Sequence, residues 1–249
     1  MTIIPRTATL ALCTALLPAM LQAQPARLPG TMTPAGNPAA LVASDSALAH
    51  LARDKGANAA LGLNADDAGV LFAPARTPAR TWLKSHDAAA QFVNRQTASV
   101  WVACDGSAGI SAGLWGRDGA AAGWFAVVWK RQKKGGYKWL LADAAPLAPL
   151  PRSSDFITGK VAECPSRLAR ADGDGPPPKK PAVVMLPPLP AAIPAPIAGG
   201  DSVDGRSDDG SLVWRSTVAP DGARHLIAWT FHDGAMQAVL DRATPAPVR

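Results

Sequence analysis

The sequence is short of the residues that carry most recognisable enzyme chemistry. Its 249 residues include three cysteines, four histidines and one tyrosine. The histidines, His50, His86, His225 and His232, show no metal-ligand spacing, so no metal site is expected. No Cys-x-x-Cys pair, phosphate-binding glycine loop, nucleophile elbow or zinc-protease helix appears either. Those absences remove the enzyme classes such motifs mark and leave no cofactor to expect. Beyond the N-terminus no apolar run could span a bilayer, because a spanning helix needs roughly 20 such residues. Acidic side chains are the minority charge: 19 Asp and Glu against 25 Lys and Arg give a formal charge of +6.

What is present at the start sets the expected compartment. Arg6 precedes an uncharged apolar run from Ala8 to Leu21, and Gln22-Ala23 places a small residue before Gln24. That is the pattern of a secretory signal peptide over residues 1–23. The run is short for a retained anchor, and Leu12 stands before Cys13 where a lipid-modified cysteine requires a small residue. The expectation is a periplasmic or secreted protein with no membrane anchor after cleavage. Cleavage leaves Cys104 and Cys164 in an oxidising compartment, where a structural disulfide is favoured over two buried thiols.

Residues 24–36, rich in Pro and Gly, read as a flexible leader. Asn37-Pro38 then supplies a helix cap and a proline at the first helical position. Leu41, Val42, Leu48, Ala49, Leu51 and Ala52 recur at helical spacing until Gly56. A second helix is predicted over 57–61, a strand over 69–72 and a third helix over 88–96. After Thr97 the period changes to alternation, and strands are predicted over 99–103, 108–115, 124–131 and 137–142. Helices followed by an antiparallel meander make an α+β domain over 37–170. The stretch 171–205, with Pro176-Pro177-Pro178, reads as a semi-rigid Pro-rich linker. Residues 206–249 form a three-stranded β meander and tail, with strands from Leu212 to Val218, Arg224 to Phe231 and Ala235 to Leu240. No internal repeat is read.

One stretch looks like a nucleic-acid surface. Lys130, Arg131, Lys133, Lys134 and Lys138 stand among Trp129, Tyr137 and Trp139. Strand alternation, however, sets Phe125, Val127 and Trp129 with Tyr137, Trp139 and Leu141 on one face, while the cations gather at the Lys133-Lys134-Gly135-Gly136 turn. A stacking site needs aromatics and cations on one exposed face. No nucleic-acid partner is therefore expected. The same hairpin is apolar on its other face, through Trp124, Ala126 and Val128, and that face needs cover. Either a second copy of the protein, sheet to sheet, or the C-terminal meander could supply it, and a homodimer through the sheet is favoured.

The segment from about Ala39 to Ala144 resembles the nuclear-transport-factor-two-like superfamily, related to ketosteroid isomerase and polyketide cyclases. It looks most like a branch of secreted bacterial domains. The residues that carry the resemblance are Ala39-Ala40-Leu41 to Lys55-Gly56, Val70-Leu71-Phe72-Ala73-Pro74, Ala79-Arg80-Thr81-Trp82-Leu83, Gly109 to Trp115 and Val128 to Gln132 with Tyr137-Lys138-Trp139. It implies a cone fold, with helices packed on a curved antiparallel sheet around an apolar pocket. The tyrosine and paired aspartates of the isomerase have no counterpart here, and Tyr137 lies beside a turn.

Asp45 is the oddly placed residue, because Leu41, Val42, Leu48 and Ala49 surround it at helical spacing. A carboxylate there is costly unless paired. It is read either as a pocket acid or base with a raised pKa, or as a buried partner of Arg80, a backbone amide or the Trp82 indole. Asp45, Arg80, Trp82 and Trp115 are the candidate pocket residues, and Asp45→Asn is expected to fold normally. The resulting functional expectation is an exported protein binding a small apolar or amphipathic molecule, with catalysis not assigned. The alternatives are a lyase or isomerase using Asp45, and a structural or dimerisation module with a filled pocket.

Overall fold

Asn37 caps the first helix, its side-chain oxygen accepting the Ala39 and Ala40 backbone N–H groups, and Pro38 opens it. The computed structural model describes residues 35–73, 75–86, 95–117, 120–147, 156–164 and 198–247, all inside the unit Met32–Arg249. The expected signal peptide, nearly all of the leader, most of the expected third helix and most of the Pro-rich linker lie outside those residues. Helix α1 (Pro38–Lys55) ends at Gly56, whose φ of 87° is open to glycine. It buries Leu41, Asp45, Leu48 and Ala52 as one stripe. Helix α2 (Ala57–Asn64) follows directly, then β1 (Ala65–Phe72), β2 (Arg76–Pro78) and a short α3 (Ala79–Trp82). No helix among the described residues is long and apolar enough to cross a membrane.

The alternating run gives β3 (Arg95–Val102), β4 (Ala108–Arg117), β5 (Ala120–Arg131), β6 (Tyr137–Pro146) and β7 (Thr158–Val161). With β1 and β2 they form a seven-stranded sheet in the order β2-β1-β6-β5-β4-β3-β7, mixed because β1 pairs with β6 and β3 with β7 in parallel. Near the C-terminus β8 (Asp201–Arg206), β9 (Leu212–Val218), β10 (Arg224–His232) and β11 (Ala235–Thr244) form a four-stranded antiparallel sheet.

The larger sheet is buried on both faces. Leu41, Leu48, Ala60 and Leu61 of the helices pack on Val100, Val102, Phe125, Val127, Trp129 and Trp139. On the other face Ile110, Trp124, Ala126, Val128 and Leu141 meet Leu212, Trp214, Leu226, Ala228 and Leu240 of the second sheet. Buried indoles keep their hydrogen bonds: Trp129 donates to Ser111 Oγ at 2.9 Å and Trp139 to the Leu61 carbonyl at 3.0 Å. A Cβ on Gly109 would come within 2.7 Å of Leu41, so glycine is what lets α1 lie this close to β4.

This architecture corrects the expected fold class. The described residues hold three helices against eleven strands, and a seven-stranded mixed sheet is backed by a second sheet. That is not a helices-on-curved-sheet cone. Parallel additions at both ends widen the sheet, and the space between helices and sheet is filled by Phe125, Trp129 and Trp139. The C-terminal element has four strands, because β8 lies in the stretch read as linker. The hairpin face expected to take a second copy is occupied by this chain's own second sheet, which removes the reason for a homodimer there. Arg95 and Gln96, read as the end of a third helix, open β3.

Candidate functional site

The stripe of α1 that packs on the sheet carries Asp45 inward, 2% exposed, toward the start of β3. Alternate residues of a strand share a face, and Arg95 and Thr97 both reach the carboxylate. Arg95 Nη2 donates to Asp45 Oδ1, and the Thr97 hydroxyl donates to Oδ2. The Arg95 side chain is 1% exposed and lies 5.1 Å from the centre of the Phe125 ring. Its Nε and Nη1 groups are buried with no hydrogen-bond partner among the described residues. Burial pulls the guanidinium below its ordinary pKa, and the Asp45 charge and hydrogen bond work against that pull.

Beside this pair opens a cleft of about 330 Å³, lined from α1 by Ser46, Ala49, His50 and Arg53, from β3 by Gln96 and Thr97, and by Phe156 and Ile157. Arg53 reaches His50 Nδ1 at 2.8 Å. Phe156 and Ile157 are 81% and 47% exposed, an apolar lip on an otherwise polar opening. Among the described lining residues only Asp45 is a carboxylate, and both its oxygens are committed. The arrangement suits binding of a polar or anionic head with an apolar body. Among the described residues it gives Asp45 no second carboxylate to work with.

The other pocket candidates lie elsewhere. Arg80 bonds the Ala65 carbonyl at 3.2 Å and pairs with the exposed Asp67 at 2.8 Å. Trp82 stacks on His86, ring centres 4.8 Å apart. Trp115 is buried and donates to the Ala145 carbonyl. The carboxylate's true partner, Arg95, is missed in a sequence reading that runs a helix through it. The alternation of Arg95 and Thr97, carried past a β-bulge by Val100 and Val102, is the signal of a strand, although it does not say which helix that strand meets.

A second cleft, about 590 Å³, lies between Asn64 and Asp66 and the turn before β6. Lys130, Arg131, Lys133, Lys134 and Lys138 line it. Burial pushes the Asp66 carboxyl up, but the Ala68 amide, Gln132, Lys130 and Lys138 together leave it below its ordinary value. Trp129 and Trp139 point away into the core, and Tyr137 donates its hydroxyl to the Gly106 carbonyl at 2.8 Å. Burial holds that hydroxyl above its ordinary pKa. Cations and large aromatics are thus on different sides of the hairpin.

An exposed cluster of Glu163, His232 and Asp233 brings ligand-type atoms within 4.8 Å of one another, a juxtaposition the spacing of the histidines does not announce. Glu163 sits at 2.8 Å from His232 Nδ1 and Asp233 at 3.5 Å from Nε2, so the carboxylates flank opposite edges of the ring. The Cys104 and Cys164 sulfurs are at disulfide distance, with Cα atoms 5.0 Å apart. Neither a family model nor a curated protein matches the chain.

Proposed function

We propose that this protein is exported and binds a small amphipathic molecule, with an anionic head and a short apolar body, in the cleft between α1 and β3. The observation that carries the reading is the make-up of that cleft. Arg53, His50, Ser46 and Gln96 line it beside a carboxylate, Asp45, whose charge Arg95 already neutralises, and Phe156 and Ile157 form the lip. Its volume is near the low end of small-molecule pockets, which run from about 300 to 1,000 Å³. Export rests on the charged start, apolar run and small residue of residues 1–23, and it accords with the Cys104–Cys164 pair. Asp45 acts in this reading as a positioning residue that holds Arg95.

Calorimetric titration with an alkyl carboxylate and with the alcohol of the same chain length tests it. The carboxylate is expected to bind at least about tenfold more tightly, a difference of about 1.4 kcal/mol, and Arg53→Gln to remove that preference. Equal binding of the two, or binding of neither, overturns the proposal.

A further inference from the structure

The turns Asp105-Gly106-Ser107 and Asp209-Gly210-Ser211 share more than a tripeptide. Both glycines have φ of 71°. In each turn the serine N–H and hydroxyl donate to the aspartate Oδ1: 2.9 and 2.8 Å in the first, 3.0 and 2.8 Å in the second. Around them, Ala103 N–H donates to Ala108 and Gly106 to Ala103, as Ser207 donates to Leu212 and Gly210 to Ser207. The spacing between matched residues is 104 throughout these turns.

The correspondence extends through the strands. Gly109 pairs with Trp129 in β4–β5, and Val213 with Trp229 in β9–β10. The register of β5–β6 slips between Val128 and Trp129, and that of β10–β11 slips between the matching Ala228 and Trp229. The strand orders β6-β5-β4-β3 and β11-β10-β9-β8 are the same. Two chains of independent origin would have no reason to place a β-bulge at the same register position.

The contacts between the two units are reciprocal. Asp105 N–H donates to Asp209 Oδ2 at 3.0 Å, and Asp209 N–H to Asp105 Oδ2 at 3.1 Å. Cys104 N–H donates to the Ser211 hydroxyl at 2.8 Å, and Asp208 N–H to the Ser107 hydroxyl at 2.9 Å. In the shared core, matched positions face the same seam: Ala108 and Leu212, Ile110 and Trp214, Ala126 and Leu226, Val128 and Ala228, Leu141 and Leu240. Contact i to j mirrored by j to i is the signature of a two-fold, isologous interface.

We infer that β3–β6 and β8–β11 are two copies of one four-stranded unit, joined about a pseudo-two-fold axis as a dimer within a single chain. The face of β4–β6 is a docking surface whose partner is a second copy of that unit, and the chain supplies the copy itself. The side chains have diverged in compensating ways. The indole on β3 in the first unit, Trp101, has its matched position at Gly205, and there the ring of Trp214 on the neighbouring strand fills the space, within 2.2 Å of where a Cβ would stand.

Two-fold equivalence has a consequence that mere sheet packing lacks: exchanging the apolar pairs at the centre of the seam rebuilds that centre as viewed from its other side. The exchange comprises Trp101→Gly, Ala108→Leu, Ile110→Trp, Ala126→Leu and Val128→Ala with Gly205→Trp, Leu212→Ala, Trp214→Ile, Leu226→Ala and Ala228→Val in the full chain. Its melting temperature is expected to lie closer to the natural protein's than that of either half exchange. A milder pair, Val128→Ala with Ala228→Val, is expected to lose less than the sum of its single variants. A full exchange no better than the halves, or a strictly additive mild pair, overturns the inference.

Discussion

At the scale of single residues, a buried arginine and its carboxylate decide the behaviour of the cleft. Asp45→Asn keeps the shape but leaves the Arg95 charge uncompensated in the core. Removing one partner of such a pair costs on the order of 3–5 kcal/mol, whereas replacing both by apolar groups is often neutral. Urea denaturation is therefore expected to show a large loss for Asp45→Asn and a smaller one for Asp45→Asn with Arg95→Met, contrary to the normal folding expected from sequence alone. Equal losses would mean the pair is solvated. Asp143 behaves differently. It is buried between the sheets against Arg224 at 2.8 Å, one of its oxygens unpartnered. Burial pushes its carboxyl above the ordinary value despite Arg224, the Ala144 amide and Arg76. A raised folded pKa contributes stability that is fully present below the unfolded value of about 3.9 and is lost as pH rises through the folded value. The natural protein should thus gain on Asp143→Asn as pH falls from neutrality toward 4, read from paired urea melts. A relative loss on acidification would reverse the assignment. The unusual position of Asp45 was legible from its apolar neighbours at helical spacing. Its partner was not, because 50 residues further along the chain the pattern carries no mark of which strand end will meet the helix.

Elements were legible where periodicity was strong and edges were punctuated. The capped helix from Asn37 to Gly56 and the strand Leu212 to Val218 stand as read. The strands that escaped, β2, β7 and β8, are short edge strands of three to six residues with no fully buried side chain, so their stability comes from pairing with a neighbour and leaves little hydrophobic pattern. The turns show the same limit: Asp-Gly-Ser occurs twice in the sequence, yet no repeat is read from it, because its meaning lies in the contacts between the copies. Because the Asp105 and Asp209 carboxylates each accept the other's backbone N–H, Asp105→Ala and Asp209→Ala are expected to destabilise by similar amounts. Their double variant should lose less than the sum by about 0.5–3 kcal/mol, as neighbours in one network do. Independent turns would give additive losses, a result that urea melts of the four proteins resolve.

At the scale of the whole molecule, the described residues form three layers, helices, a wide sheet and a narrow one, whose seams meet near Cys104. That residue ends the turn side of β3, donates its N–H to Ser211 in the second sheet and is bridged to Cys164 just beyond β7. Strand β7 is short and largely exposed, held to β3 by parallel pairing and touching α1 where Gly159 lies against Pro38. Beyond it, Glu163 accepts the Asp233 N–H and donates its own to Phe231, so the same segment is also stitched to β10. The bridge closes a loop with a sequence separation of 60, for which the chain-entropy estimate is about 4 kcal/mol. Because that constraint acts mainly on the unfolded chain, reduction is expected to lower global stability by roughly that amount without dissolving either sheet. Locally, however, β7 and residues 162–164 lose their covalent anchor. Hydrogen exchange under reducing conditions should therefore rise first over 158–164 and along the β3 edge it covers, ahead of β5 and β10 at the centres of the two sheets. Unchanged stability with unchanged exchange over 158–164 would show that the pairing to β3 and the stitches to β10 hold this seam without the sulfurs.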